Sequence, residues 1–406
     1  MHGHLNSVFL ITIAMNMNWA FLAVAALILL PIAALAQGAT PAQAVALEQQ
    51  GKLAQAAEAW RAVTMANPRD GAAFASLGVV LAKEQKYPEA AAAYRRALAL
   101  NSKLPGLQLN LGLAEFKQGH FRAAITPLAA ALAAERTSGP KQLQARTLLG
   151  LSYYGTERFA EAVKELRPAA AADPTNTELH LVLAQSCLWS KQYSCALDEF
   201  KQILQTDPDS APAHVLSGEA LDGLGKTPEA IAEFQAAARV APREPNVHFG
   251  LGYLYWKSHQ YDDAKREFEA ELALDPAHAQ SLAYLGDIAM KTDQPEAALP
   301  LLRKSIQLKS DIRIANIDLG VILAQQKQYA DAAAALQDAI ALDPAEPDAH
   351  YRLARVYREM GKVAESQKEF AKVRELKAKA DQKDEDMVRK MSASPPALNS
   401  PPGQPK

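Results

Sequence analysis

Three groups of residues in this sequence have types and spacings that could support chemistry. The first is the stretch 220–227 (ALDGLGKT), which fits a relaxed form of the phosphate-binding loop. In such a loop, backbone N–H groups converge on phosphate oxygens between a β-strand and the start of a helix. Here Gly225 and Lys226 fall instead at a predicted turn between two helices. We therefore do not expect a nucleotide site.

The second group is a set of histidines that recur at intervals of 34 residues or a multiple of 34, namely His180, His214, His248 and His350. A zinc site needs imidazole nitrogens about 2 Å from one ion. Equivalent positions of neighbouring helix pairs lie roughly 8–10 Å apart. No carboxylate or cysteine stands beside these histidines at ligand spacing. We predict that they are packing residues, and we predict neither a metal nor another cofactor.

The third group is Cys187 and Cys195, the only cysteines in the chain. They fall in the first helix and early in the second helix of one predicted helix pair, so they could form a disulfide in an oxidising compartment. Cys195 stands at a position that is ordinarily exposed, and the spacing alone leaves the bond open. No nucleophilic-serine motif, HExxH motif, GxGxxG motif or paired carboxylates stand out. The sequence therefore predicts no catalytic residue and no enzyme.

Composition restricts the fold and the partners. The chain has 406 residues, more than one compact core usually serves, and its net charge is −2 with 22% charged residues. Blocks of Lys and Arg that would follow a phosphate backbone are missing, so nucleic acid is not an expected partner. Aromatic residues make up only 7%, and long alternating runs of β-branched residues are missing. The sequence favours an all-α fold.

A period of 34 residues organises most of the chain. Ten repeats begin at Gln37, Gly71, Pro105, Leu143, Thr177, Ala211, Pro245, Ala279, Arg313 and Pro347. The eighth position of every repeat is Gly or Ala, and the twentieth is Ala except for Ser366. Antiparallel helices approach most closely where facing side chains are small, so these two positions are expected to set the contact between two helices of a pair. Four extra residues, 139–142, are expected to form an exposed loop that proteases cleave.

This pattern resembles the tetratricopeptide repeat family: Leu then a small residue in the first helix, Ala and an aromatic residue in the second, and Pro at the end. The resemblance covers residues 37–380. It implies a right-handed superhelical solenoid of about ten antiparallel helix pairs, whose first helices line a concave groove for peptides or partner proteins. The first repeat departs with Pro41 and Gln43. The last has Ser366 and Ala378, so its second helix is expected to continue past Ala380.

The family's groove positions are the second, fifth, ninth, twelfth and thirteenth of each first helix. In this chain they include Leu109, Leu113, Phe116, Leu151, Tyr154, Leu181, Leu188, Trp189, Phe249, Tyr253 and Trp256. The family's carboxylate-binding pattern, Lys at the fifth and Asn at the ninth position, occurs in no repeat. The groove is therefore expected to take an apolar or aromatic protein segment. The open alternative is that several of these side chains simply pack between neighbouring helices.

The two ends of the chain differ from the repeats. Residues 8–36 are almost wholly apolar and end in Ala-Leu-Ala, although no Lys or Arg precedes Lys52. We interpret residues 1–36 as a signal peptide or an N-terminal membrane anchor, which places the repeats outside the cytoplasm, periplasmic or secreted. The anchor, if uncleaved, would be the only contact with a membrane. Residues 381–406 are charged, then rich in Pro and Ser, and are interpreted as a disordered tail.

Together these features predict a non-enzymatic scaffold that binds a partner protein in the groove, with Tyr253 and Trp256 as anchors. The alternative is a membrane-anchored accessory subunit that helps to assemble a polysaccharide or secretion machine of the cell envelope. The sequence does not distinguish these two hypotheses.

Overall fold

The computed structural model describes residues 39–134 and 139–393. The signal peptide or anchor and the Pro/Ser-rich end, 394–406, lie outside the described residues, so both remain predictions. The described residues divide into two compact units, with the boundary in the chain between Gly119 and His120.

Helices account for the regular structure of both units, and the described residues contain no β-strand. The first unit contains α1 Pro41–Gln49, α2 Leu53–Ala66, α3 Gly71–Lys83, α4 Tyr87–Leu100 and α5 Leu107–Lys117. The second contains α6 Phe121–Ala134, α7 Pro140–Gly155, α8 Phe159–Ala172, α9 Thr177–Trp189, α10 Tyr193–Thr206, α11 Ala211–Gly223, α12 Thr227–Val240, α13 Val247–Lys257, α14 Tyr261–Leu274, α15 Ala279–Lys291, α16 Pro295–Leu308, α17 Arg313–Gln325, α18 Tyr329–Leu342, α19 Pro347–Glu359 and α20 Val363–Ala393. Each repeat contributes one odd-numbered and one even-numbered helix. The predicted all-α fold of repeated helix pairs is confirmed.

The turn between the two helices of a pair has the same backbone conformation throughout. The fifteenth residue of every repeat has a positive φ, between 59° and 73°; these residues are Gly51, Gln85, Gly119, Glu157, Lys191, Gly225, His259, Asp293, Lys327 and Gly361. This left-handed region suits glycine, and non-glycine residues adopt it at a cost. Gly225 therefore belongs to this turn, and residues 220–223 before the turn are helical. The phosphate-loop pattern is a helix-to-helix turn.

Within a pair, a small residue on the first helix makes room for a large one on the second. A Cβ atom added to Gly286 would lie 2.5 Å from Leu302 Cδ2, and one added to Gly252 would lie 2.9 Å from the Phe268 ring. The large residue occupies the twenty-fourth position. The twentieth position also comes close, as predicted, since the Ala264 carbonyl oxygen is 3.3 Å from that same added Cβ on Gly252. The small residue at the eighth position therefore leaves room for the residues at the twentieth and the twenty-fourth positions.

The recurring histidines join the two helices of their own pair. Each Nδ1 atom lies near the carboxylate of a glutamate 19 residues later: His180–Glu199 at 2.5 Å, His214–Glu233 at 2.6 Å, His248–Glu267 at 2.7 Å and His350–Glu369 at 2.5 Å. A carboxylate can only accept, so Nδ1 carries the hydrogen. In repeat 4, Arg146 contacts Glu165 at 2.9 Å in the equivalent place. These histidines therefore tie helix to helix. Among the described residues, no group of three or more His, Cys, Asp or Glu could hold a metal ion.

The irregular first repeat is explained by helix capping. The Thr40 hydroxyl accepts a hydrogen bond from the Gln43 backbone N–H at 3.3 Å, and the Gln43 side chain accepts one from the Thr40 N–H at 2.9 Å. This reciprocal capping box satisfies two backbone N–H groups that would otherwise lack partners. Pro41 occupies the first turn, where its missing N–H is not needed. Gln43 therefore stands in the place of the usual leucine because its side chain caps the start of the helix.

Two predictions at the junctions are corrected. Residues 140–142 form the first turn of α7 rather than a loop, because a proline in the first turn is preorganised for a helix. The last helix, α20, runs 31 residues to Ala393, past Ala380 as predicted. Residues 381–393 are therefore helical and do not belong to a disordered tail. None of the helices in the described ranges combines the length and hydropathy needed to cross a membrane.

Candidate functional site

Three half-buried rings form what we call the aromatic panel: Tyr253 and Trp256 of α13, and Tyr284 of α15. Tyr253 and Trp256 lie three residues apart on one helix face and stack, with ring centroids 5.9 Å apart. Tyr284 meets both edge-on, at 5.7 Å from Tyr253 and 4.9 Å from Trp256. Phe268 of α14, which is fully buried, stacks on Tyr284 at 5.4 Å. The panel is thus held from the interior, while each of its three rings keeps an exposed part.

A buried carboxylate adjoins the panel. Asp287 of α15 is only 3% exposed, and it accepts a hydrogen bond from the Trp256 indole N–H at 2.5 Å. Lys291, one turn later, donates to the other oxygen of Asp287. The Lys291 ammonium also lies 5.2 Å from the centre of the Trp256 ring, at cation–π distance. The indole, the carboxylate and the ammonium therefore hold one another in place.

A second buried carboxyl group, Asp318 of α17, completes what we call the carboxyl pair with Asp287. Asp318 is 8% exposed, and no donor reaches its buried Oδ2. Burial, followed by the neighbouring charge of Asp287, raises the pKa of Asp318 from 3.8 to about 7, although Lys291 and Arg352 act in the opposite direction. A side-chain hydrogen bond with Asp287 makes a smaller contribution in the same direction. Asp318 therefore keeps its proton up to about neutral pH.

Replacement Asp318→Asn is expected to change how stability depends on pH. The folded protein holds a proton on Asp318 that the unfolded chain would release between pH 3.8 and about 7. The wild-type free energy of unfolding should therefore fall as pH rises through this window, by at most about 1.4 kcal/mol per pH unit from this group. The amide does not titrate, so the variant gains stability relative to wild type over the window and keeps that gain at higher pH. Urea unfolding across the pH range measures this, with the exposed Asp331→Asn as control. Parallel curves for wild type and Asp318→Asn would contradict the raised pKa of Asp318.

A smaller aromatic cluster lies in repeats 4 and 5. Tyr154 of α7 stacks on Trp189 of α9 with centroids 5.7 Å apart, and Phe159 contacts Trp189 at 4.9 Å. The Tyr154 hydroxyl donates to the Gln185 side chain at 2.7 Å. Burial raises the pKa of Tyr154 to about 12, so this hydroxyl stays a donor. This cluster has no buried carboxyl group among the contacts described.

The structure separates the predicted groove residues into two sets. Leu109, Leu188 and Phe249 are only 6–8% exposed and pack in the interior. For these three residues the alternative of packing between helices applies. The others are half-buried: Leu113, Phe116, Leu151, Tyr154, Leu181, Trp189, Tyr253 and Trp256. Leu113 belongs to the first unit, where it lines a cavity of about 290 Å³ with Tyr94, Asn110 and Lys117. The structure therefore brings together Tyr154 with Trp189, and Tyr253 with Trp256.

Sequence reasoning missed Tyr284, Asp287, Lys291 and Asp318. A signal was present for two of them, because Asp287 and Lys291 stand at the ninth and thirteenth positions of repeat 8, which are groove positions of the family. The predicted groove residues were limited to apolar and aromatic side chains, which left out these two charged residues. The sequence carried no comparable signal that Asp318, at the sixth position of repeat 9, would approach Asp287.

The two cysteines meet within repeat 5. The Cys187 and Cys195 sulfur atoms are 1.98 Å apart and the Cα atoms 5.8 Å apart, which is within the usual range for a disulfide. Cys187 is fully buried. The bond would join α9 to α10 across their turn.

Comparison with known families identifies the repeats. A family model described as tetratricopeptide repeat matches residues 42–105, 109–177, 147–211 and 249–311, more than half of the chain. A second model with the same description matches residues 190–252 and 323–384. The chain belongs to the tetratricopeptide repeat family. The matches fall in both units and include the repeats that carry the aromatic panel.

Curated relatives match shorter segments. The chain is 30% identical over 131 residues to tetratricopeptide repeat protein 7B of Homo sapiens, which is 32% of this chain and 16% of that protein. It is 24% identical over 147 residues to anaphase-promoting complex subunit 3 of Schizosaccharomyces pombe, covering 36% and 22%. It is also 24% identical over 147 residues to cellulose synthase operon protein C of Pseudomonas fluorescens, covering 34% and 12%. The matched segments thus span less than a quarter of each of these relatives.

Solved structures share the fold. YrrB, described as a TPR protein with an unusual peptide-binding site, is 21% identical, with 44% of this chain and 91% of YrrB covered and a TM-score of 0.36. A monomeric mutant of IFIT1 with Gppp-AAAA is 18% identical, with coverage of 66% and 68% and a TM-score of 0.41. These values describe similarity of the repeated helix-pair fold alone.

Proposed function

We propose that this chain is a non-enzymatic scaffold outside the cytoplasm, and that it binds a segment of a partner protein on the first helices of repeats 7 to 9. The observation that carries the proposal is the half-buried aromatic panel, Tyr253, Trp256 and Tyr284. Membership of the tetratricopeptide repeat family, whose repeats form protein-interaction scaffolds, supports it.

The panel has the properties of a binding surface for an apolar or aromatic side chain. Its rings are supported by the buried Phe268 and by the bond between Trp256 and Asp287, so little conformational entropy is lost when a partner docks. Large aromatic side chains on a rigid support account for most of the energy at protein interfaces. The smaller cluster of Tyr154, Phe159 and Trp189 would serve as a second contact point for the same segment.

A photo-crosslinking experiment tests this assignment. Incorporation of p-benzoylphenylalanine at position 253 is expected to capture one protein from an envelope extract, identified by mass spectrometry. The matched control places the same residue at position 261, a half-buried tyrosine at the start of α14 in the same pair. Crosslinks of equal yield from both positions, or none at position 253, would refute the proposed surface.

Location outside the cytoplasm is supported by the apolar run of residues 8–36 and by the short distance between Cys187 and Cys195. The second candidate function, a membrane-anchored accessory of an envelope assembly, is favoured by the length of the same run and by the match to cellulose synthase operon protein C. Sequencing the N-terminus of the mature protein separates the two. A mature protein that starts at Gln37 excludes the anchor, and one that still starts at Met1, Met15 or Met17 favours it.

Reduction of the Cys187–Cys195 bond is expected to lower the free energy of unfolding by about 2–3 kcal/mol, because a closed loop of this size restricts the unfolded chain. The two cysteines are 8 residues apart. Chemical denaturation with and without reductant measures the loss. The variant Cys195→Ser is the control, since its stability should not respond to reductant. Two titratable thiols in the unreduced wild-type protein would contradict the bond.

A further inference from the structure

The first unit contains a cavity of about 290 Å³ between α3, α4 and α5. Its walls are aliphatic, with Val79 and Ala82 on the side of α3 and Leu113 and Ala114 on the side of α5. A few polar side chains complete the lining. Pockets that bind small molecules have this composition, because apolar walls supply most of the contact and a small number of polar groups fix the orientation of the ligand.

The hydroxyl group of Tyr94 is a donor in this lining that lacks a partner. Tyr94 of α4 is only 2% exposed, and its ring packs so closely on Gly78 of α3 that an added Cβ atom there would lie 2.5 Å from Cε1. No described residue forms a hydrogen bond with the hydroxyl, and its oxygen is not among the polar atoms that the protein encloses completely. Burial raises the pKa of Tyr94, so the hydroxyl keeps its hydrogen. A ligand atom in the cavity would supply the missing acceptor.

This hydroxyl is peculiar to repeat 2. Tyr94 occupies the twenty-fourth position of its repeat, and the other nine repeats have Leu, Phe or Trp there. Packing against the small residue at the eighth position therefore needs a large apolar side chain and no hydroxyl. A role in binding explains why the group is present.

The cavity also has a positive charge that no acidic group of the described ranges balances. Lys117, the last residue of α5, is exposed and makes no ion pair with a described residue. Lys83, the last residue of α3, is already engaged by Glu48 at 2.5 Å. The side-chain amide of Asn110 is half-buried and makes no hydrogen bond within the part of the chain that the structure describes. One ammonium and one amide are thus available, a set that suits a singly charged oxyanion.

We propose that this cavity binds a small carboxylate on an aliphatic chain. The carboxylate accepts hydrogen bonds from Tyr94 and Asn110 and pairs with Lys117, while the chain lies against the aliphatic walls. At about 30 Å³ for each group of the size of a water molecule, the volume takes about ten non-hydrogen atoms, which is the size of octanoate. This site belongs to the first unit, so it adds a function to the binding of a partner segment by the aromatic panel of the second unit.

Octanoate tests the inference with the full-length protein, and octanamide, which has a similar shape and no charge, is its control. Isothermal titration at neutral pH is expected to show octanoate bound at one site with a Kd below about 1 mM, and octanamide bound at least about tenfold more weakly. Amide exchange should slow in α3 to α5 when octanoate binds, and it should not change in the second unit.

The variant Tyr94→Phe removes the hydroxyl and keeps the ring. Phenylalanine is the natural residue at this position in four other repeats, so the variant is expected to fold. Its affinity for octanoate should be at least about fivefold lower, because a hydrogen bond to a charged group is lost. Lys117→Gln should lower the affinity about threefold and reduce its dependence on salt. The matched control is Lys103→Gln, which changes an exposed lysine of the same unit outside the cavity and should have no effect.

Three results would overturn the inference. They are equal affinities for octanoate and octanamide, an octanoate affinity that Tyr94→Phe leaves unchanged, and no binding with a Kd below about 1 mM. Slower exchange in α13 to α15 without slower exchange in α3 to α5 would also overturn it, because octanoate would then bind at the aromatic panel.

Discussion

Replacing Tyr253 and Trp256 together with alanine is expected to weaken binding of the partner segment by about a hundredfold or more. Truncation of a central aromatic residue at an interface typically costs about 2 kcal/mol or more. Two independent losses would give nearly a thousandfold, and because the two rings contact each other their losses are not additive, so about a hundredfold is the expected minimum. Binding of the crosslinked partner, measured by titration, gives the result directly. Retained affinity would show that the partner binds elsewhere on the repeats.

The two substitutions differ in what they do to the fold. Trp256 packs against Tyr284 and donates to Asp287, so its loss also leaves a buried carboxylate short of a donor. Tyr253 makes only ring contacts in this cluster. The single variant Tyr253→Ala is therefore expected to reduce binding with a smaller change in stability than Trp256→Ala. The control, Tyr261→Ala, removes a tyrosine of the same pair outside the panel and should leave binding intact.

Replacing Phe268 with alanine is expected to lower the free energy of unfolding by about 3–5 kcal/mol, the usual cost of removing a buried phenylalanine. Phe268 is fully buried, lies against Gly252 and stacks on Tyr284. The matched control is Phe370→Ala, which removes the same residue type at the same position of the last repeat. Phe370 is half-buried, so a smaller loss is expected there.

The loss at Phe268 should also be local. Repeat stability depends mainly on each helix pair and its neighbours, so amide exchange should accelerate most in α13 to α16. Because Phe268 supports Tyr284 from the interior, partner binding should weaken as well. Equal destabilisation by Phe268→Ala and Phe370→Ala would mean that burial of the residue at the twenty-fourth position does not determine its contribution to stability.

Much of the fold was predictable because a repeat architecture depends mainly on interactions between residues that are close together in the sequence. The 34-residue spacing, the small eighth position and the prolines between pairs each constrain only a few neighbouring residues, and the helices follow them. The missing proline at Ala378 likewise predicted that α20 would continue. Less local features were harder to predict. Gln43 departs from the repeat pattern, and only its hydrogen bonds with Thr40 in the structure explain why. Pro140 is compatible with a loop or with the start of a helix, and the structure shows the start of a helix.

The candidate site was only partly predictable for the same reason. Tyr253 and Trp256 share one helix, so their proximity follows from their spacing. Tyr284 and Asp287 belong to the next repeat, and Asp318 to the one after. Their approach depends on how successive pairs stack. Two acidic residues on separate helices are usually solvated, and nothing in their neighbours along the chain indicated otherwise.

By itself, the sequence determined that this protein consists of repeated helix pairs, and it placed two rings of the aromatic panel, Tyr253 and Trp256, on one helix face. Only the tertiary structure decided which groove positions stay accessible. The ninth position is half-buried at Tyr253 and almost fully buried at Asp287, one repeat later. The physical reason is that burial and charge at a repeat position depend on the side chains contributed by adjacent repeats. Residues 34 apart can therefore occupy equivalent places on their own helices and still have different environments.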